Sequence, residues 1–117
     1  MNIQHFSKLT NLSAHTIRYY EKIGLIKNIE RTLSGHRFFT QKDIDWIAFI
    51  KRLKDTGMTL KQILLYSELR DIGVSSSEER MNILQEHALM LEAKIEEQQL
   101  NLKMLKAKIQ YYRDLNE

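Results

Sequence analysis

From Met81 onward, apolar side chains return in alternating steps of three and four: Met81, Leu84, Ala88, Leu91, Ile95, Gln98, Leu102, Leu105, Ile109 and Tyr112. Only Gln98 interrupts the series. A repeat held this strictly over more than four heptads dictates one long helix with a continuous seam along it. At about 1.5 Å per residue the seam runs roughly 50 Å, more than the preceding chain can cover. A second copy is therefore expected to bury it, with Leu84, Leu91, Ile95, Gln98, Leu102, Leu105 and Ile109 at the interface of a homodimer. Gln98 could set the register of such a coil. Charges beside the seam favour antiparallel pairing, which sets Glu92 against Lys106, whereas parallel pairing sets Lys108 against Arg113. Exposed pairs contribute only about 0.2–1 kcal/mol each, so this preference is modest.

The rest of the chain is also built for helices. Its 117 residues contain no proline and four glycines, so few positions break a helix or supply positive φ. Cysteine is absent, which excludes disulfides, thiolate metal sites, iron–sulfur clusters and thiol nucleophiles. The charge is unevenly spread. Residues 1–58 hold ten Lys and Arg against five acids, a net of +5, and residues 59–117 hold eight against ten, a net of −2. A basic first half beside a near-neutral helix suggests a polyanion-binding domain with a separate assembly element. No stretch approaches the roughly 18 apolar residues of a membrane span, and the first residues lack the pattern of a secretion signal. Residence in the cytoplasm, with no membrane partner, is expected.

Local signals divide the first half. Ile3, Phe6 and Leu9 give a short first helix one apolar face, which Thr10-Asn11-Leu12 ends, Asn being tolerant of the left-handed conformation. Ser13 is a good N-cap for a second helix over about Ala14 to Lys22, and Gly24 stands where it should stop. Residues 25–31 can run extended and 36–39 can return, with Thr32-Leu33-Ser34-Gly35 as the turn. The pattern is a helix-turn-helix followed by a small hairpin wing with an arginine on each arm. Thr40 then caps a third helix, with Asp43 in its first turn and Ile44, Ile47, Ile50 and Leu53 as its buried face, flanked by Trp46 and Phe49. Gly57 ends that helix. Thr59 and Gln62 form a capping box for a fourth, on which Leu60, Ile63, Leu64 and Leu69 can pack. Ser75-Ser76-Ser77-Glu78-Glu79 starts the long helix.

The run Thr16-Ile17-Arg18-Tyr19-Tyr20-Glu21-Lys22-Ile23-Gly24-Leu25-Ile26 resembles the TIRYYE-x-x-GL signature of MerR-family transcription regulators, with no mismatch at its fixed positions. Arg31 with Ser34-Gly35-His36-Arg37-Phe38 resembles the family's R-x-x-x-GYR wing, and Gly57-Met58-Thr59-Leu60-Lys61-Gln62-Ile63 the start of its fourth helix. The likeness spans the first 70 residues and continues in kind through the coil. Phe49 to Lys54 and Tyr111-Tyr112 further resemble the short NmlR/AdhR-like branch. The resemblance implies an all-α fold with a β-hairpin wing: a winged helix-turn-helix domain at 1–72 and a dimerisation helix at 73–117, paired as an antiparallel coiled coil. It implies promoter DNA and RNA polymerase holoenzyme as partners, the promoter being distorted on binding. Two departures stand out. His36 replaces the usual wing tyrosine, and its flat imidazole can still donate to a phosphate. Arg52 stands where this branch often has cysteine, so sensing by thiol modification is impossible, and the effector is left open.

Ser13, His15 and Thr16 open the recognition helix, where side chains meet a groove and N–H groups meet phosphate. Arg18 could reach a base edge or a phosphate. Adjacent helical residues point about 100° apart, so one of Tyr19 and Tyr20 should be core; the resemblance assigns Tyr19 to DNA. Arg31, Ser34, His36 and Arg37 are the wing candidates. The four histidines have no metal-ligand spacing, so neither metal nor cofactor is expected. No nucleophile–base pair or phosphate loop supports an enzyme. An excisionase-like or architectural winged-helix protein is the alternative, against which the long coil argues.

Overall fold

The computed structural model describes residues 1–117, and each of the first four helices begins at a side-chain capping interaction. Helix α1 (Ile3–Thr10) is capped by Asn2, whose side-chain oxygen accepts from the His5 N–H at 2.9 Å. Asn11 ends it in the left-handed region at φ 57°. Helix α2 (Ala14–Lys22) is capped by Ser13, whose hydroxyl accepts from the Thr16 N–H at 3.0 Å. Gly24, at φ +83°, carries the chain away from its end. Strands β1 (Glu30–Arg31) and β2 (Arg37–Phe38) pair antiparallel, with Glu30 opposite Phe38 and Arg31 opposite Arg37. Helix α3 (Gln41–Asp55) follows, its Asp43 carboxylate accepting from the Thr40 N–H at 2.9 Å. In the capping box of α4 (Leu60–Ile72), Gln62 accepts from the Thr59 N–H at 2.9 Å and returns its own N–H to the Thr59 hydroxyl at 3.2 Å. A 3-10 turn over Val74–Ser76 precedes α5 (Ser77–Leu115).

The chain forms two compact units, Met1–Ser77 and Glu78–Glu117. The first owns the entire core: Phe6, Ile17, Tyr20, Leu25, Ile26, Phe39, Ile47, Ile50, Leu53, Met58, Ile63 and Tyr66 are buried. Burying each large apolar side chain contributes about 1.5–3 kcal/mol. Phe6 and Phe39 stack with ring centres 4.1 Å apart and planes within 6°, which ties α1 to the exit of the wing. Trp46 donates its indole N–H to the Leu25 carbonyl at 2.8 Å, and the Arg70 guanidinium lies over its ring at 4.2 Å. Those contacts fasten the hairpin's base to α3 and α4. Lys27 and Asp71 add an exposed ion pair between the same regions.

Several expectations need correction. Leu9 is 53% exposed and does not continue the buried face of α1; Thr10 does, its hydroxyl donating to the Phe6 carbonyl at 2.8 Å. A step of four from Phe6 stays closer to one side of a 3.6-residue helix than a step of three. The hairpin arms pair over two residues each, not seven and four. Leu25, Ile26 and Phe39, counted as strand, are drawn into the core, which bends both arms away from each other. On α4, Ile63 and Tyr66 are the buried apolar residues, while Leu60, Leu64 and Leu69 are half-buried. The long helix starts at Ser77, because Ser76 is buried with its hydroxyl turned back on the Gly73 and Leu69 carbonyls.

Helix α5 is 39 residues long and none of them is buried. Ile95, Leu102, Leu105 and Ile109 remain about half exposed. Leu91, Ile95, Gln98 and Leu102 border a shallow depression of about 380 Å³ on its surface, with Lys94 and Gln99 at the rim.

Candidate nucleic-acid interface

The consecutive tyrosines are sorted by helical geometry. Tyr20 is buried, its hydroxyl accepting from Lys54 Nζ at 3.0 Å, while Tyr19, about 100° round the helix, is 42% exposed. Tyr19 shares that open side with His15, Arg18 and Lys22, and the four enclose a depression of about 250 Å³. Ser13 and Thr16 lie at the N-terminal end of α2 with their hydroxyls 2.9 Å apart. Ser13 is thereby committed to capping and to Thr16, so its role in placing the helix is visible irrespective of any ligand.

The wing supplies the second half of the surface. Arg31, Ser34, His36 and Arg37 surround a depression of about 540 Å³, and its wall also includes Asn2, Gln4 and Arg18. Arg18 therefore belongs to both hollows, so recognition helix and wing present one continuous surface. The wing turn is held by its own hydroxyls: Thr32 and Ser34 oxygens lie 3.0 Å apart, and the His36 N–H donates to the Thr32 hydroxyl at 3.2 Å. Gly35, at φ +84°, closes the turn.

Sequence reasoning missed the group that organises the arginines. Glu21, on the last turn of α2, accepts from Arg37 Nε at 2.8 Å and from Arg31 Nη2 at 3.3 Å. Glu21 is the sole acid among the first 29 residues, which marks it as unusual without naming its partners. Two of the ten cations counted in residues 1–58 are also engaged within the fold. Lys51 donates to the Thr10 carbonyl at 3.1 Å, covering the end of α1, and Lys54 holds Tyr20. On the α2 side of this surface Arg18 and Lys22 stand exposed, while the wing's Arg31 and Arg37 are paired with Glu21.

The sequence description of MerR HTH family regulatory proteins matches residues 1–76. The chain belongs to the MerR family. An uncharacterised HTH-type transcriptional regulator of Haemophilus influenzae is 37% identical, with 86% of this chain aligned to 75% of that protein. The HTH-type transcriptional regulator AdhR of Bacillus subtilis is 40% identical over 72% of this chain and 60% of its own length. Among solved structures, that of HiNmlR, described as a MerR family regulator lacking the sensor domain and bound to promoter DNA, superposes with a TM-score of 0.84. It is 33% identical, with 97% of this chain and 86% of that one covered. A MerR family regulator from Listeria monocytogenes gives 0.89 at 36% identity, covering 96% of this chain and 85% of its own. All four are similar to this chain, and AdhR and HiNmlR among them carry the names of the NmlR/AdhR-like branch that its motifs resemble. The mostly helical fold with a hairpin wing, expected from the motifs, is the one observed.

Proposed function

We propose that this MerR-family chain is a dimeric, sequence-specific DNA-binding transcription regulator and not an enzyme, acting in the cytoplasm on promoter DNA that it distorts. The observation that carries the reading is the surface joined at Arg18. His15, Arg18, Tyr19 and Lys22 on α2 adjoin Arg31, Ser34, His36 and Arg37 on the wing. A helix that offers side chains to a major groove, beside a wing that offers arginine to the adjoining backbone, suits duplex DNA. The promoter-DNA complex of HiNmlR supports the same use here.

Dimerisation follows from α5, none of whose seam residues is buried. The domain at 1–72 would read DNA and the helix at 73–117 would pair antiparallel with its copy. Two recognition helices related by a dyad then require two half-sites. RNA polymerase holoenzyme is the partner this arrangement would serve. No helix is long and apolar enough to cross a membrane.

The test is binding of the protein to duplexes from the DNA beside its own gene, against scrambled duplexes, across a salt series. Preference for one duplex, a two-fold footprint and affinity falling steeply with salt are expected. Equal binding to all duplexes, or affinity indifferent to salt, would refute the reading.

A further inference from the structure

Glu21 is an anomaly in a surface otherwise built for phosphate. Its carboxylate lies among Arg31 and Arg37 and next to the hollow that Arg18 shares with them. A negative charge there repels DNA, and no folding need obliges the wing to carry an acid partner, since its turn is closed by Thr32, Ser34 and Gly35. The geometry of the two ion pairs gives the acid a different use. Arg37 is gripped through Nε at 2.8 Å, which leaves both its Nη groups uncommitted, and Arg31 is held through Nη2 alone at 3.3 Å. The Glu21 side chain is only 22% exposed, so it cannot swing out to release them cheaply.

We propose that Glu21 is a specificity-determining residue of the DNA interface: it fixes the two wing arginines in one array relative to the recognition helix and withholds them from DNA that does not fit that array. On a matching site the arginines contact the backbone through their remaining N–H groups while still bonded to Glu21. Little side-chain freedom is then lost on binding, because the fold has already ordered both. On other DNA the arginines can reach phosphate only by leaving the carboxylate, and the exposed acid then faces a phosphate. The first effect favours the matching site and the second penalises other DNA, so both raise the ratio of specific to non-specific binding that a regulator needs. Glu21 is a positioning residue in this scheme and touches no base. The inference rests on the DNA-binding reading above.

Glu21→Gln is the informative change, because it keeps the shape and removes the charge. Wild type and variant are titrated with the promoter duplex and with a scrambled duplex at several salt concentrations. The expected result is a rise in affinity for scrambled DNA with little gain for the promoter. The specificity ratio should then fall on the order of tenfold, the loss expected when a charge-assisted bond no longer orients its partner. Each released arginine neutralises a further phosphate, so the non-specific salt slope should steepen by about 0.9 per added contact. A second arm uses Arg37→Lys, which keeps the charge and removes the Nε grip. It should lower the ratio comparably, and the double variant should be no worse than either single one.

A Glu21→Gln protein that loses affinity equally for both duplexes, with unchanged slope, would overturn the proposal and leave Glu21 a mere brace of the wing. An unchanged ratio, or effects of the two substitutions that multiply, would overturn it too. Wild-type binding without sequence preference would instead refute DNA recognition itself, and this inference with it.

Discussion

The two units of this chain use apolar residues in opposite ways. Residues 1–77 bury twelve large ones, and their wing, helix ends and indole all find partners inside one chain. Residues 78–117 hold a helix just as regular, yet no side chain in it is buried. Its regularity comes from local terms, since no Gly or Pro follows Gly73 and acids occupy its first turn. The contrast separates two kinds of sequence instruction: one specifies a finished surface, and the other an open seam that the proposed dimer would complete.

Breaking the contrast should be easiest on the coil. Leu105→Glu places an unpaired charge in the proposed seam once per protomer, a cost of several kcal/mol each. At micromolar concentration, sedimentation should then show the 13.9 kDa monomer. Phe6→Ala removes one ring of the Phe6–Phe39 stack and should cost about 3–5 kcal/mol. That loss should fall on the first unit alone, lowering its unfolding midpoint while the protein still sediments as a dimer. If either change damaged both properties equally, the division into a finished surface and an open seam would fail.

Within the reading surface, smaller effects sharpen the comparison. Arg18→Ala, at the junction of helix and wing, should cost about 1–3 kcal/mol and relax preference at one position of each half-site. Arg37→Ala, which touches no base, should weaken every single-base variant of the operator about equally and lower the salt slope by about 1 per site, while scrambled duplexes, from which Glu21 withholds it, lose less. Titrations of both variants against single-base operator substitutions distinguish the two outcomes. Trp46→Phe leaves the Leu25 carbonyl without its donor and should cost about 1–2 kcal/mol in urea unfolding. The smallest effect belongs to Lys27→Met. Its pair with Asp71 is about two-fifths exposed on each side, so the change should stay within about 1 kcal/mol.

Much of this was legible in the sequence, because capping chemistry is local. Ser13, Thr59 with Gln62, Asn11 and Gly24 occupy the conformations their residue types favour, Gly24 because it has no side chain. The heptads gave the long helix for the same reason. What could not be read depends on residues distant in sequence. Leu25, Ile26 and Phe39 suit a strand by composition, but the core formed by α1, α2 and α3 claims them. Lys51 and Lys54 look like surface cations until α3 places them over Thr10 and Tyr20. At the candidate interface the arginines were recognisable by residue type, while the carboxylate that joins them was not. Arg31 and Arg37 lie 10 and 16 positions beyond Glu21, a relation no helical or strand period encodes.

Trp46 is the chain's single tryptophan, and it sits where the wing's base, α3 and α4 meet, bonded to Leu25, beneath Arg70 and beside Tyr66. The protein therefore carries its own optical label on one unit only. Excitation of the indole reports on the first unit, while the long helix, with tyrosines at 111 and 112 and no tryptophan, is silent in that emission and supplies 39 residues of the helical signal in far-ultraviolet dichroism. Opening of the hairpin and separation of the coil can thus be timed independently in one unlabelled sample.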